Sequence, residues 1–497
     1  MSGGEPAVGT VSVASELYRL ALYVSRVAPN LQMDVPATSG ALGTSLTVAQ
    51  TLERLRTTVE RQDAQLASSR LSQPSRLLGH INLDLLVEIL SYLDGERELM
   101  AIKATCSGLR RLVLGSDALW QSIVQTTFPY WYDKYMNSTR TRNIKPPPGV
   151  AKWHSVFQNK VQTDRQWFVN KDRKATHSTS LARGLHCIYF DENELYCGSG
   201  VNNEIIVLDL KTGKRRNTNG LHGLVGHTQA VSAVQPLDLD PNLLISSSLD
   251  HTMRLWDRTL MHPRMVYEGH TEKVWCVQVS GTRVFSGGSD KTIKIWDVES
   301  AKTLATLKDH RTSISALKLM KHSSGANGVT LVTGSAGNTI RVWNISQSSA
   351  ICTTKLRGHE KGVFSLHCTP SLLLSGSLDN TIKIWDPRQN YRYINCLQEP
   401  APGSAEATNM TEDKMGIITF CCDDTKVVSG GPETVIKLWD LRMFRFVDKF
   451  EGHTHWVTSL QFDDDKIVSA SRDRTIRFWD VSGRMQDSIA LPASPPE

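Results

Sequence analysis

The chain has 497 residues, 40% of them hydrophobic and 21% charged, with a formal net charge of +6. That length exceeds one ordinary core and calls for two or three domains. The charge excess is too thin over it to select an anionic partner. The most apolar stretch near the start, Leu17 to Ala28, is interrupted by Arg19 and Arg26, so neither a signal peptide nor a membrane span is expected. Nine cysteines include no C-x-x-C pair, which argues against a zinc site. Cys421 and Cys422 are adjacent, while Cys276 and Cys368 fall in apolar strand-like runs where a thiol serves as a small core hydrophobe. A reducing, cytoplasmic and/or nuclear location is expected.

Residues 1–76 read as a partly disordered region with two amphipathic helices. The first puts Leu17, Leu20, Ala21, Val24 and Ala28 on one face. The second spaces Val48, Leu52, Leu55, Val59 and Leu66 as a seam, with Gln62 at one seam position. The seam is too short to declare a coiled coil: it either docks on its own chain or pairs two copies into a homodimer, and the sequence leaves both open.

From Ile81 the chain reads Ile-Asn-Leu-Asp-Leu-Leu-Val-Glu-Ile-Leu-Ser-Tyr-Leu and later closes on Asp-Ala-Leu-Trp. Leu85, Leu86, Ile89, Leu90 and Leu93 cover far more than one stripe, so a helix here must be buried on more than one side. A domain of about 40 residues cannot supply that much core. The surplus face therefore asks for a partner. Residues 77–122 resemble the F-box, whose pattern is Leu-Pro-x-Glu-Leu-Leu-x-x-Ile-Leu-x-x-Leu with a closing Leu-Trp. Asn82, Asp84 and Leu109 stand where that pattern has Pro, Glu and an aromatic residue. The resemblance implies binding to a Skp-family adaptor, and through it a cullin, by Ile81, Leu85, Leu86, Ile89, Leu93, Leu119 and Trp120.

Residues 123–166 are expected to be a helical linker. Pro146-Pro147-Pro148 excludes helix, whereas Trp153, Val156, Phe157 and Val161 lie near one helical face, as in a stiff connector entering a first blade around Trp167. The short basic run Lys214-Arg215-Arg216 reads as a solvated hairpin turn.

The strongest signal is a repeat ending at Leu208-Asp209, Trp256-Asp257, Trp296-Asp297, Trp343-Asn344, Trp385-Asp386, Trp439-Asp440 and Trp479-Asp480. Gly-His or Asp-His precedes most of these ends, at His227, His270, His310, His359 and His453. A period of about 40–45 residues resembles the WD-repeat family. The resemblance implies a seven-bladed β-propeller over 167–492. The expected fold class is therefore mostly β, with a small all-α F-box domain and a helical N-terminal region ahead of the propeller.

In the third repeat His270, Ser286, Asp290 and Trp296 form one expected structural network, from indole through hydroxyl and imidazole to carboxylate. Trp256, Trp385 and Trp479 should sit in similar sets. Gly337 replaces the carboxylate in the fourth repeat. The sixth has Thr411 near the histidine position and Glu433 in the turn, and the first lacks most of the set, so these three blades are expected to be looser. A Ser, His and Asp recurring in blade after blade serve structure, since a hydrolase needs only one triad. No catalytic residue, metal or cofactor is expected.

In propellers that capture peptides, one face is built from the loops entering each first strand and the turns between second and third strands. Counting along the repeats puts Ser232, Leu249, Lys273, Trp275, Ser315, Phe364, Leu378, Trp456, Thr458 and Arg472 there. Such a face suits a degron anchored by an apolar side chain with at most one phosphate or acidic group. The Pro- and Ala-rich stretch from Glu399 to Glu412 is expected to emerge on the same side, as a lid or a disordered insertion. The expected function is substrate recognition for a Skp–cullin–F-box ubiquitin ligase. The alternatives are an assembly scaffold whose F-box recruits no cullin and a nucleic-acid-binding propeller, the latter disfavoured by the aromatic face and low charge.

Overall fold

The computed structural model describes residues 32–34, 45–47, 117–136, 145–146, 150–169, 175–180, 184–200, 202–210, 214–216, 223–320, 329–346, 350–399 and 416–481. The chain divides into two compact units, residues 1–159 and 160–497. The expected N-terminal helices lie outside the described residues; what is described there is an antiparallel pair, Gln32–Asp34 with Ser45–Thr47.

In the first unit, α1 (Asp117–Thr127) is followed by α2 (Pro129–Tyr135) and the opening turns of α3 (Lys152–Val169). Pro129 occupies the first turn of α2, where its missing N–H costs nothing. Val124, Phe128, Val156 and Phe157 are buried, and Gln121 Nε2 donates to the Tyr132 hydroxyl at 2.8 Å. The Trp153 N–H, at the start of α3, donates to the Asp117 carboxylate at 2.8 Å, which places an anion at a helix N-terminus. Ile81, Leu85, Leu86, Ile89 and Leu93 lie outside the described residues, and Leu119 is described only as part of the α1 backbone. Trp120 is the one residue of that expected adaptor-binding set whose side chain is described. Its indole is buried, 4.4 Å from the His154 ring and 5.4 Å from Phe157, so it packs its own helices together.

The second unit contains seven four-stranded antiparallel sheets. Blade 1 runs from Leu185–Phe190 to Gly223–Leu224, blade 2 from Val231–Pro236 to His262–Tyr267, and blade 3 from Val274–Ser280 to Thr303–Lys308. Blade 4 runs from Ile314–Met320 to Ala350–Leu356, blade 5 from Val363–Cys368 to Arg392–Leu397, and blade 6 from Thr419–Cys422 to Arg445–Phe450. Blade 7 takes Val457–Phe462, Lys466–Ser471 and Thr475–Asp480 from the end of the chain. Its fourth strand, Ala175–Ser180, comes from before blade 1. The ring is thus closed by a strand from the N-terminal side.

Seven ends in the sequence become seven sheets because each repeat buries both faces of its strands against neighbours. Second strands such as Leu243–Ser248 and Leu373–Ser377 are buried along their whole length. Close approach of blades demands glycine at particular points: a Cβ at Gly334 would lie 2.8 Å from Val363 Cγ1 of the next blade. The bulky caps of this core, Trp256, Trp296, Trp439 and Trp479, are all but inaccessible. Cys276 and Cys368 are buried as expected, and no disulfide joins the eight described cysteines.

The end of α3 corrects the expected entry into a first blade. Trp167 is helical and packs with Val428, Phe450, Phe462 and Trp479, between blades 6 and 7. Beside it lies a buried charge cluster. Lys160 Nζ is 2.8 Å from Asp164 and 3.1 Å from Asp464, and Lys426 Nζ is 2.7 Å from Asp164 and 2.5 Å from Asp423. Lys426 also sits 4.7 Å from the centre of the Trp167 ring. Burial alone would raise the Asp423 pKa, but Lys426 and Lys160 outweigh it and hold the carboxyl below its usual range. The run Lys214-Arg215-Arg216 follows blade 1's third strand. Arg215 bridges Leu208, and Arg216 forms an ion pair with Glu194.

Candidate binding face of the propeller

The inner strands build the site through a repeated irregularity. In six blades the pairing of first and second strands skips one residue: His186, Ser232, Trp275, Ser315, Phe364 and Thr458. A bulge re-aims the unpaired side chain and increases the local twist. In blade 6 the first strand begins just after the corresponding Ile418. All seven residues line one cavity of about 640 Å³ at the ring's centre, together with Ser289, Lys318, Trp456 and Arg472.

The ring alternates in size, and its small members also bond from blade to blade. Ser232 Oγ donates to the Val274 carbonyl at 2.6 Å, Ser315 Oγ to the Val363 carbonyl, and Thr458 Oγ1 to the Leu185 carbonyl at 2.9 Å. Each joins its own blade to the next. These hydroxyls line the cavity but are engaged in holding the ring together. Leu249 and Leu378 are half-buried, Lys273 is exposed, and none of the three lines the cavity.

The large members form the mouth. Trp275 is 36% and Trp456 37% exposed, which is unusual for tryptophan and places both at the surface rather than in the blade core. The Trp275 indole N–H donates to Ser289 Oγ at 2.8 Å. The Arg472 guanidinium lies 4.5 Å from the Trp456 ring centre, a stacked cation that rigidifies both side chains. Phe364 is half-buried and lines the same cavity. The lining includes Arg472 and Lys318 but no carboxylate. His186 is kept below its ordinary pKa by burial first and the Arg472 charge second, so its ring is neutral near pH 7. His186, Ile418 and Lys318 escaped the sequence reading. Aligning Leu185-His186-Cys187-Ile188 with Val274-Trp275-Cys276-Val277 would have found the first.

Beneath this face the expected network is present in four blades. In blade 3 Trp296 Nε1 donates to Ser286 Oγ at 2.8 Å, His270 Nε2 is 2.7 Å from the same oxygen, and His270 Nδ1 is 2.7 Å from Asp290. Blades 2, 5 and 7 repeat it with His227, His359 and His453. Blade 4 closes its network in another way. Arg341 donates to His310 Nδ1 at 2.8 Å and pairs with Asp309 at 2.7 Å, which supplies the charge that Gly337 lacks. In blade 6 Trp439 still bonds Ser429, and Lys437 pairs with Glu433 and with Glu399 at 3.0 Å. Thr411 and residues 400–415 of the blade 6 loop lie outside the described residues.

With this geometry in view, the architecture is a seven-bladed WD-repeat β-propeller. Residues 219–257, 261–297, 301–344, 350–386 and 444–480 match the family described as WD domain, G-beta repeat. The chain is 29% identical over 250 residues to Mitochondrial division protein 1 of Neosartorya fischeri, across 48% of this chain and 36% of that protein. It is 24% identical over 147 residues to Autophagy-related protein 16 of Arabidopsis thaliana, across 29% and 28%. It is 22% identical over 242 residues to Eukaryotic translation initiation factor 3 subunit I of Bombyx mori, across 48% and 58%. The chain therefore spans between about a quarter and three-fifths of these relatives, which share WD repeats with it. A WD-repeat propeller of this kind is a protein-interaction module.

Proposed function

We propose that this chain is the substrate-recognition subunit of a Skp–cullin–F-box ubiquitin ligase, binding targets through the propeller's central face. The observation that carries the reading is the pairing, in one chain, of an F-box-like segment over 77–122 with a propeller whose cavity mouth presents Trp275, Phe364 and Trp456. Aromatic side chains dominate binding hot spots, and a one-third-exposed tryptophan pair has surface to give to a partner. The work done is scaffolding. A target held beside a conjugating enzyme presents its lysine at high effective concentration, and no group of this chain takes part in bond making.

A second reading is an assembly scaffold that recruits no cullin. It is favoured by the confinement of the family matches to residues 219–480 and by Asn82 and Leu109 in the F-box-like segment. Co-purification with a Skp adaptor and cullin separates the two, comparing the native chain with Leu85→Lys, Ile89→Lys. Recovery by the native chain alone is the expected result. Recovery by neither gives the scaffold reading.

A further inference from the structure

Blade 3 carries a second cavity of about 540 Å³ at its edge, lined by Lys291, Lys294 and Lys308 together with the side chains of Thr271 and Thr306. Among the described residues no carboxylate pairs with any of the three lysines. The acidic residue in the lining, Asp290, is already engaged. Its Oδ2 faces His270 Nδ1 at 2.7 Å and accepts from the Thr271 N–H at 3.3 Å, and its Oδ1 accepts from the Thr292 N–H and hydroxyl at 3.0 and 2.8 Å. Three ammonium groups thus share a concave site with one committed anion.

The other repeats serve as internal controls. At the position of Lys308, blade 2 has Glu268 and blade 6 has Glu451; at the position of Lys291 they have His251 and Thr434. The position of Lys294 is basic in each of blades 2 to 7; in blades 6 and 4 that base is ion-paired, Lys437 with Glu433 and Arg341 with Asp309. Lys294 instead donates to Thr306 Oγ1 at 3.1 Å, which leaves the ammonium with two further hydrogens. Blade 3 thus keeps uncompensated a charge that blades 4 and 6 neutralise.

We propose that this cavity binds the phosphoryl group of a phosphorylated peptide. A phosphate monoester carries a charge near −2 and accepts several hydrogen bonds at once, which matches converging ammonium and hydroxyl donors better than a single carboxylate does. The turn Ser289-Asp290-Lys291 joins the two cavities, since Ser289 lines the central one and Lys291 the lysine one. One extended segment can place an apolar side chain between Trp275 and Phe364 and its phosphoryl group on blade 3. That the phosphoryl group arrives on a peptide rests on the reading of this face as protein-binding.

The test uses the full chain with three probes: a degenerate peptide library with a fixed central phosphothreonine, the same library unphosphorylated, and vesicles containing phosphatidylinositol phosphate. Inorganic phosphate is titrated in parallel. The native chain should retain the phosphorylated library at least tenfold better than its counterpart, and Lys294→Gln, Lys308→Gln should erase that preference with an unchanged melting temperature. Lys302→Gln, on an exposed turn of blade 3 outside both cavities, should keep it. Equal retention of the two libraries, a preference surviving in the double variant, or binding to vesicles alone overturns the proposal. Saturable inorganic phosphate binding lost in the double variant, with neither library retained, overturns the peptide source and the protein-binding reading while leaving an anion site at these lysines.

Discussion

The imidazoles beneath the face show how a single side chain serves two opposite hydrogen-bond arrangements. In blades 2, 3, 5 and 7 a carboxylate faces Nδ1, so a neutral ring carries its proton on Nδ1 and accepts the serine hydroxyl at Nε2. In blade 4 Arg341 donates to Nδ1 of His310, so the proton must sit on Nε2 and point at Thr333 Oγ1, 2.8 Å away. Ring ¹⁵N spectra should report one inverted tautomer, and Arg341→Met should remove the inversion. Five identical tautomers would refute this account. Burial first and Arg341 second push His310 down to about 3. Its folded pKa thus lies below the unfolded value of about 6.5, so the unfolded chain binds the extra proton and stability falls as pH drops from 6.5 toward 3. His310→Gln should flatten that part of the stability–pH curve. At the cavity mouth the opposite situation holds, because Trp275 and Trp456 are a third exposed and contribute little to the core. Replacing both by Ala should weaken partner capture at least tenfold while changing folding stability by no more than about 1 kcal/mol. A cooperative loss of structure would show that they are core residues.

Among the elements, the end of α3 depends most on charges that have left water. Lys160 and Lys426 are buried, and their partners come from α3 (Asp164), blade 6 (Asp423) and the turn before Lys466–Ser471 (Asp464). Removing one member of a buried ion set strands the others, at a cost of roughly 3–5 kcal/mol. Asp164→Ala should therefore lower unfolding free energy by about that much in urea titrations, whereas Glu299→Ala, on an exposed turn of blade 3, should leave it within error. A small effect at Asp164 would mean that water reaches the cluster. None of this was legible beforehand, because Lys160, Asp164, Asp423, Lys426 and Asp464 have no shared spacing and meet only after blades 6 and 7 are built. The strands, by contrast, were legible from the Trp-Asp ends and the Gly-His turns. The blade 4 network was half legible: Asp309 before His310, where the sister repeats have glycine, is the trace of its substitute carboxylate.

At the scale of the whole ring, closure is the step a linear sequence hides. Ala175-Thr176-His177-Ser178-Thr179-Ser180 carries no repeat signature, and it becomes a strand by pairing with Thr475–Asp480 at the far end of the chain. Without it, the third strand of blade 7 would be an open edge, with unpaired backbone groups free to recruit another copy. The inner side of the same seam is held by Thr458, whose hydroxyl reaches the Leu185 carbonyl of blade 1. In each of the other six blades the four strands are consecutive in the chain; the three C-terminal strands of blade 7 meet Ala175–Ser180 and blade 1 by pairing and packing alone. Two chains beginning at residues 171 and 184 both lack α3 and differ at this seam only by the closing strand. The longer should run as a monomer in size-exclusion chromatography and unfold in one transition. The shorter should associate in a concentration-dependent way and lose blade 7 at lower urea. Identical behaviour of the two would mean that packing between blades 7 and 1 closes the ring by itself. Thr458→Val in the full chain tests the inner half of the seam. Loss of one hydrogen bond of this kind costs about 1 kcal/mol, and its effect should exceed that of Ser232→Ala, where blades 2 and 3 remain tethered by the chain.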